Sequence, residues 1–148
     1  MRLISSGSLV AGIVLLGCTS GPRVVRVVTT DYALQAPDSL EAGTTEFIVE
    51  NRGRYPHEMI IGVLQPGKGI PDMVAAGREN VRLRQLSERY LDGPPISAVF
   101  AWPGATSPGR LTLDLQKGRQ YALFCTLRDS ADAPQHAALG MVRVLSTR

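Results

Sequence analysis

The sequence predicts an all-β protein, a β-sandwich carrying one short helical insertion, on three observations. Short runs dense in β-branched and aromatic residues recur along the chain, each bounded by Gly, Pro, Asn or Asp. Gly and Pro are plentiful, at 15 and 10 of 148 residues, which favours many turns over long helices. One stretch, from Pro71 to Leu91, changes to a helical period. The length suits a single domain with its own apolar core.

The first residues are set apart from that domain. Arg2 supplies a positive region, Leu9 to Leu16 an apolar run too short to span a bilayer comfortably, and Gly17 a small residue before Cys18. This is the anatomy of an export signal. Leu15-Leu16-Gly17-Cys18 resembles the lipobox of bacterial lipoproteins. That resemblance implies cleavage after residue 17 and acylation of Cys18, whose chains would hold the protein at a membrane, each buried methylene contributing about 0.8 kcal/mol. Thr19, rather than Asp, after the cysteine fits outer-membrane sorting in that family. Residues 1–17 are thus expected to be a signal peptide, 18–23 a tether, and 24–148 the domain, exported and facing the periplasm or the cell exterior.

Within the domain, VVRVVTTDYAL (24–34) reads as one strand, ended by the turn at Ala36-Pro37-Asp38-Ser39. TEFIVE (45–50) alternates and reads as a second, with Asn51-Arg52-Gly53 as its turn. His57, Met59, Ile61 and Val63 then share one strand face, and Glu58 and Ile60 the other. Pro71 suits a first helical turn, and Val74, Leu83, Leu86 and Tyr90 have helical spacing. Gly77 and Asn80 interrupt that pattern, so one helix or two short ones are equally compatible. Asp92-Gly93-Pro94-Pro95 closes the segment. Strands are expected again at 96–101, 110–115, 120–125 and 141–145. Trp102, beside the Pro103-Gly104 turn, is expected to pack.

The charge excludes one class of function. Removing residues 1–17 takes away one arginine and lowers the formal charge from +3 to +2. The basic residues are scattered and aromatics make up only 5%, so nothing suggests nucleic-acid binding. Catalysis has no support either. Cys125 and His136 could be drawn as nucleophile and base, but no orienting residue or oxyanion loop accompanies them. Phosphate-loop, His-Glu-x-x-His and Cys-x-x-Cys motifs are missing as well. The chain is not expected to be an enzyme.

The chemistry lies in FCTLRDSADAPQHAALGM (124–141). If Cys18 is lipidated, Cys125 has no partner in the chain. A lone thiol in an oxidising compartment is either deeply buried or held by something, such as a metal. Singly, Cys125, His57 and Met141 each read well as buried or packing residues. Together they differ, because both histidines of the chain, His57 and His136, fall where strands can bring them to Cys125 and Met141. Two imidazoles, a thiolate and a weak axial thioether form the ligand set of a blue-copper electron-transfer site. Zinc would take four strong ligands and has less use for a thioether.

At these residues the chain resembles the cupredoxin superfamily, the plastocyanin and azurin type. Three stretches carry the resemblance: ENRGRYPHEM (50–59), LDLQKGRQYALFC (113–125) and HAALGMVRVL (136–145). It covers roughly residues 24–146, and is similar in detail to exported bacterial members with a helical insertion and a Cys-x-x-x-Asp…Pro-His…Gly-Met loop. It implies a Greek-key sandwich holding one mononuclear copper ion on His57, Cys125, His136 and Met141. The departure is the ten-residue spacer TLRDSADAPQ between Cys125 and His136, where cupredoxins usually place a few residues. The implied function is a membrane-tethered carrier of one electron between redox partners, expected to be a monomer. The alternatives are a Cu(I) chaperone or store, for which the His57-x-Met59 pair is the sparse support, and a metal-free binding module acting through the insertion.

Overall fold

Val25 and Val27 are buried while Val24 and Arg26 beside them are exposed, the alternation of a strand with one face on a core. The computed structural model describes residues 21–148, and this strand, β1 (Arg23–Thr30), is its first element. Together β1, β2 (Ala33–Gln35), β4 (Gly43–Asn51) and β7 (Leu111–Leu115) form a four-stranded sheet in the order β2-β1-β4-β7. The second sheet is β3 (Ser39–Leu40), β9 (Val142–Thr147), β8 (Gln120–Phe124), β5 (His57–Val63) and β6 (Ser97–Ala101), in that order. Pairing is parallel for β1 with β4 and for β3 with β9, and antiparallel elsewhere. Neighbours distant in sequence, such as β4 with β7 and β5 with β8, are the crossovers of a Greek-key sandwich.

The run read as one strand over 24–34 is two. Asp31-Tyr32 breaks it into the antiparallel hairpin of β1 and β2, Thr30 pairing with Ala33. Tyr32 takes a left-handed conformation, with φ of 70°. β-branched density cannot signal that break, because the residue at its apex is itself a good strand former.

The sheets enclose Val25, Val27, Phe47, Val49, Met59, Ile61, Leu115, Leu123 and Leu145. The outer face of the five-stranded sheet is covered too. Ile60, expected to point away from the core, packs with Phe124 and Val142 into a second core against the insertion. That insertion is two helices, α1 (Ile70–Arg78) and α2 (Leu83–Tyr90), which contribute Met73, Ala76 and Leu86. Asp72 caps α1 by accepting the Gly69 N–H at 2.9 Å. Asn80, left-handed at φ 52°, separates the helices. Gly77, by contrast, stays inside α1.

Trp102 does not pack as expected. It is 63% exposed, set edge-on against Phe100 on the outer face of edge strand β6. No helix among the described residues is long and apolar enough to cross a membrane. The signal, Cys18 and residues 19 and 20 of the tether lie outside the described residues.

Candidate metal centre

His57 opens β5, Cys125 directly follows β8, and these strands are hydrogen-bonded neighbours, with Ile60 opposite Phe124. That register carries the thiol and the first imidazole to the same end of the sandwich. The spacer then leaves the sheet and returns in a 3₁₀ turn, His136–Leu139. The returning chain is tied to the strand end. The His136 N–H donates to Leu127 O at 2.8 Å, Ala137 N–H to Cys125 O at 2.9 Å, and Cys125 N–H to Met141 O at 3.2 Å. Gly140, at φ 106°, reverses the chain into β9, a conformation that favours glycine.

The ligand-capable atoms of His57, Cys125 and His136 consequently lie within 4.8 Å of one another. His57 Nδ1 faces His136 Nδ1 at 3.2 Å, and Cys125 Sγ lies 3.4 Å from the same His136 nitrogen. All three side chains are buried. Met141 is buried as well, joined to His136 by its N–H donating to His136 O at 3.0 Å.

The outer nitrogens complete the picture. His136 Nε2 lies 2.9 Å from Asp129 Oδ1, which places the proton on Nε2 and a lone pair on Nδ1. His57 Nε2 has no hydrogen-bond partner and sits 3.6 Å from the Asp31 carboxylate. Burial, with His136 alongside, lowers the His57 pKa and keeps the ring neutral. Neither neutral tautomer satisfies both of its nitrogens. A proton on Nδ1 lets His57 donate to His136 Nδ1 but aims the Nε2 lone pair at a carboxylate. A proton on Nε2 sets two Nδ1 lone pairs face to face. The second arrangement is the one a metal ion resolves. Burial also pushes the Cys125 thiol up to about 12.

Auracyanin from the photosynthetic bacterium Roseiflexus castenholzii, reduced with dithionite, matches at 14% identity over 87% of this chain and 99% of its own, with a TM-score of 0.55. Auracyanin A, described as a blue copper protein of Chloroflexus aurantiacus, matches at 17% over 86% and 100%, with a TM-score of 0.52. Reduced rusticyanin matches at 18% over 90% and 89%, at 0.51. The chain has the cupredoxin fold. No protein-family model matches the sequence, and no curated protein does.

On this cupredoxin frame the loop before His57 is held by Asn51. Its side-chain amide donates to Tyr55 O at 2.8 Å and Ala101 O at 3.0 Å, and its oxygen accepts the Gly53 N–H at 2.8 Å. Asn51 is 1% exposed, so truncation strands three partners. Asn51→Ala is expected to cost about 2 kcal/mol, because the one buried and two part-buried bonds it removes each contribute roughly 0.5–1 kcal/mol. Urea unfolding of the metal-free protein measures this; an unchanged midpoint would refute it. Glu58 secures the other side, accepting the Thr126 N–H at 3.1 Å and hydroxyl at 2.7 Å next to Cys125.

Of the four residues named from the sequence, the structure brings His57, Cys125 and His136 together. Sequence reasoning missed Asp31 and Tyr32, which sat inside an expected strand. It noted Asp129 in the spacer but assigned it no partner. The Tyr32 hydroxyl in fact donates to Asp129, 97 positions away. The signal available was a carboxylate and a tyrosine in a strand that need not have been continuous.

Proposed function

We propose that the chain is a membrane-tethered type 1 copper protein that carries one electron between redox partners, with His57, Cys125, His136 and Met141 as ligands. The observation that carries this reading is the pair of facing Nδ1 atoms at 3.2 Å beside the Cys125 sulfur. Auracyanin A, a blue copper protein by description, shares the fold and supports it. Copper there supplies a one-electron couple that thiolate and imidazole donors accept in both states.

The chain's own contribution is preorganisation. Backbone bonds fix Cys125 against the His136 turn, Asn51 fixes the approach to His57, and side chains at 0–1% exposure exclude water from all the donors. A site so fixed has little to rearrange when charge changes. The same burial argues against a chaperone or store, which must expose its ligands to exchange metal.

The anchor fits this reading geometrically. Arg23 pairs with Thr45 and Thr29 with Asn51, so β1 starts at the pole opposite the loop that leads to His57. The eight residues of β1 span roughly 26 Å at ~3.3 Å each. A lipid on Cys18 would therefore leave the donor cluster directed away from the membrane, toward soluble partners.

Optical and paramagnetic resonance spectra of copper-loaded protein test the proposal. A type 1 signal that is lost in His136→Ala supports it, and a colourless loaded protein sinks it. A pH prediction follows from the thiol. Its folded pKa, about 12, lies above the ordinary 9.0, so folding favours the protonated form. Stability from this group is complete below pH 9 and is lost as pH rises toward 12. Metal-free protein is expected to lose stability progressively above pH 9, whereas Cys125→Ala should flatten that slope. Guanidinium unfolding across this range checks it. Copper uptake at neutral pH should release the thiol proton.

A further inference from the structure

The spacer that sets this chain apart has a partner on the other sheet. Asp129 Oδ1 lies 2.9 Å from His136 Nε2, and its other oxygen accepts the Tyr32 hydroxyl. Tyr32 also lays its ring edge on His136, centroids 5.2 Å apart, and stacks with Tyr55 at 6.3 Å. It does so from a left-handed backbone at φ 70°, rare for a bulky residue and sustained by these contacts. Next to it, Asp31 faces His57 Nε2 at 3.6 Å while accepting the Arg54 N–H at 2.7 Å and its Nε–H at 2.8 Å. The two-residue turn between β1 and β2 thus serves both imidazoles, one through its carboxylate and the other through Asp129.

We propose that Asp129, clamped by Tyr32, is a positioning residue. It fixes His136 with Nδ1 toward the donor cluster and favours the more positive, oxidised state of the centre, lowering its reduction potential. Asp31 plays the lesser part toward His57, because Arg54 offsets its charge and its distance is longer. The spacer carries a carboxylate to the outer nitrogen and meets Tyr32 of the other sheet. Carboxylate partners of metal-bound imidazoles fix the tautomer and raise ligand basicity, and losing one costs about 10–100-fold in affinity. This inference rests on the copper reading for the potential, but not for the tautomer.

The test uses Asp129→Ala, which removes the acceptor, Asp129→Asn, which keeps an acceptor oxygen but removes the charge, and Tyr32→Phe, which keeps the carboxylate. In the metal-free wild type, nitrogen-resolved NMR should find His136 as one tautomer, protonated at Nε2. In Asp129→Ala that preference is lost. After copper loading, the ratio of Cu(II) to Cu(I) affinity should fall about tenfold in Asp129→Asn, a rise of ~59 mV in the one-electron potential. Tyr32→Phe should move both readouts in the same direction by less. The proposal is overturned if Asp129→Ala keeps the single tautomer or Asp129→Asn keeps the wild-type affinity ratio. A wild type that takes up no copper would overturn the copper centre and the effect on potential, leaving the tautomer measurement to decide the clamp.

Discussion

Cys125→Ser is expected to abolish stoichiometric copper binding and the blue absorption together while leaving the fold in place. The colour of a type 1 site comes from charge transfer between thiolate and copper, which a hydroxyl cannot supply. The loss in affinity should exceed the ~100-fold upper range for residues that only support a ligand. The fold should survive because serine is nearly the same shape, and Cys125 is one of many buried residues in the core between the sheets. Burying a hydroxyl in place of a thiol costs about 1–3 kcal/mol where it finds no partner. His136 Nδ1, 3.4 Å from the sulfur, is placed to accept from it in the metal-free protein. Metal content per chain, the visible spectrum and the urea midpoint would be read on one preparation. A serine variant that retained one copper and its colour would rule out Cys125 as the ligand. Loss of fold and metal together would show the thiol to be a packing group.

The contrast between what was legible and what was not follows the range of the interactions. The donor cluster was legible because each member is announced locally: His57 by the turn before it, Cys125 by the strand it follows, and Met141 by a glycine that must turn left-handed at φ 106°. Strand pairing then brings His57 and Cys125 to one end of the sandwich, and the 3₁₀ turn after the spacer adds His136. Asp31 and Tyr32 were not legible because their role is set by Asp129 and His57, distant in sequence, and by a positive φ that no propensity predicts for tyrosine. Ile60 was read as facing outward because a period of two says which face a residue takes, not whether a helix covers that face. Trp102 reads as a packing residue beside its turn; it does meet Phe100 edge-on, but just past edge strand β6 it stays 63% exposed.

Gly77 is the sharpest case of this kind, and it ties the insertion to the site. Propensity treats a glycine inside a helix as a defect and predicts that Gly77→Ala stabilises α1 by about 1 kcal/mol. The packing predicts the reverse sign. A Cβ at Gly77 would lie 2.5 Å from Ala138 N and 3.0 Å from Ala137 C, both backbone atoms of the 3₁₀ turn that begins at His136. That turn cannot retreat freely, because the Ala137 N–H is bonded to Cys125 O at 2.9 Å and the Ala138 N–H to Gln135 O at 2.8 Å. Overpacking against fixed backbone costs ~1–3 kcal/mol, enough to outweigh the propensity gain. Gly77→Ala is therefore expected to lower stability and to shift the His136 resonances and the copper spectrum, with urea unfolding and paramagnetic resonance as the measurements. Gly109→Ala, where a Cβ meets nothing within 4 Å, is the control and should leave both unchanged. If Gly77→Ala were as stable as wild type with an identical spectrum, the insertion would be an appendage. The close approach of α1 to the turn makes it a buttress that holds the second histidine at the centre.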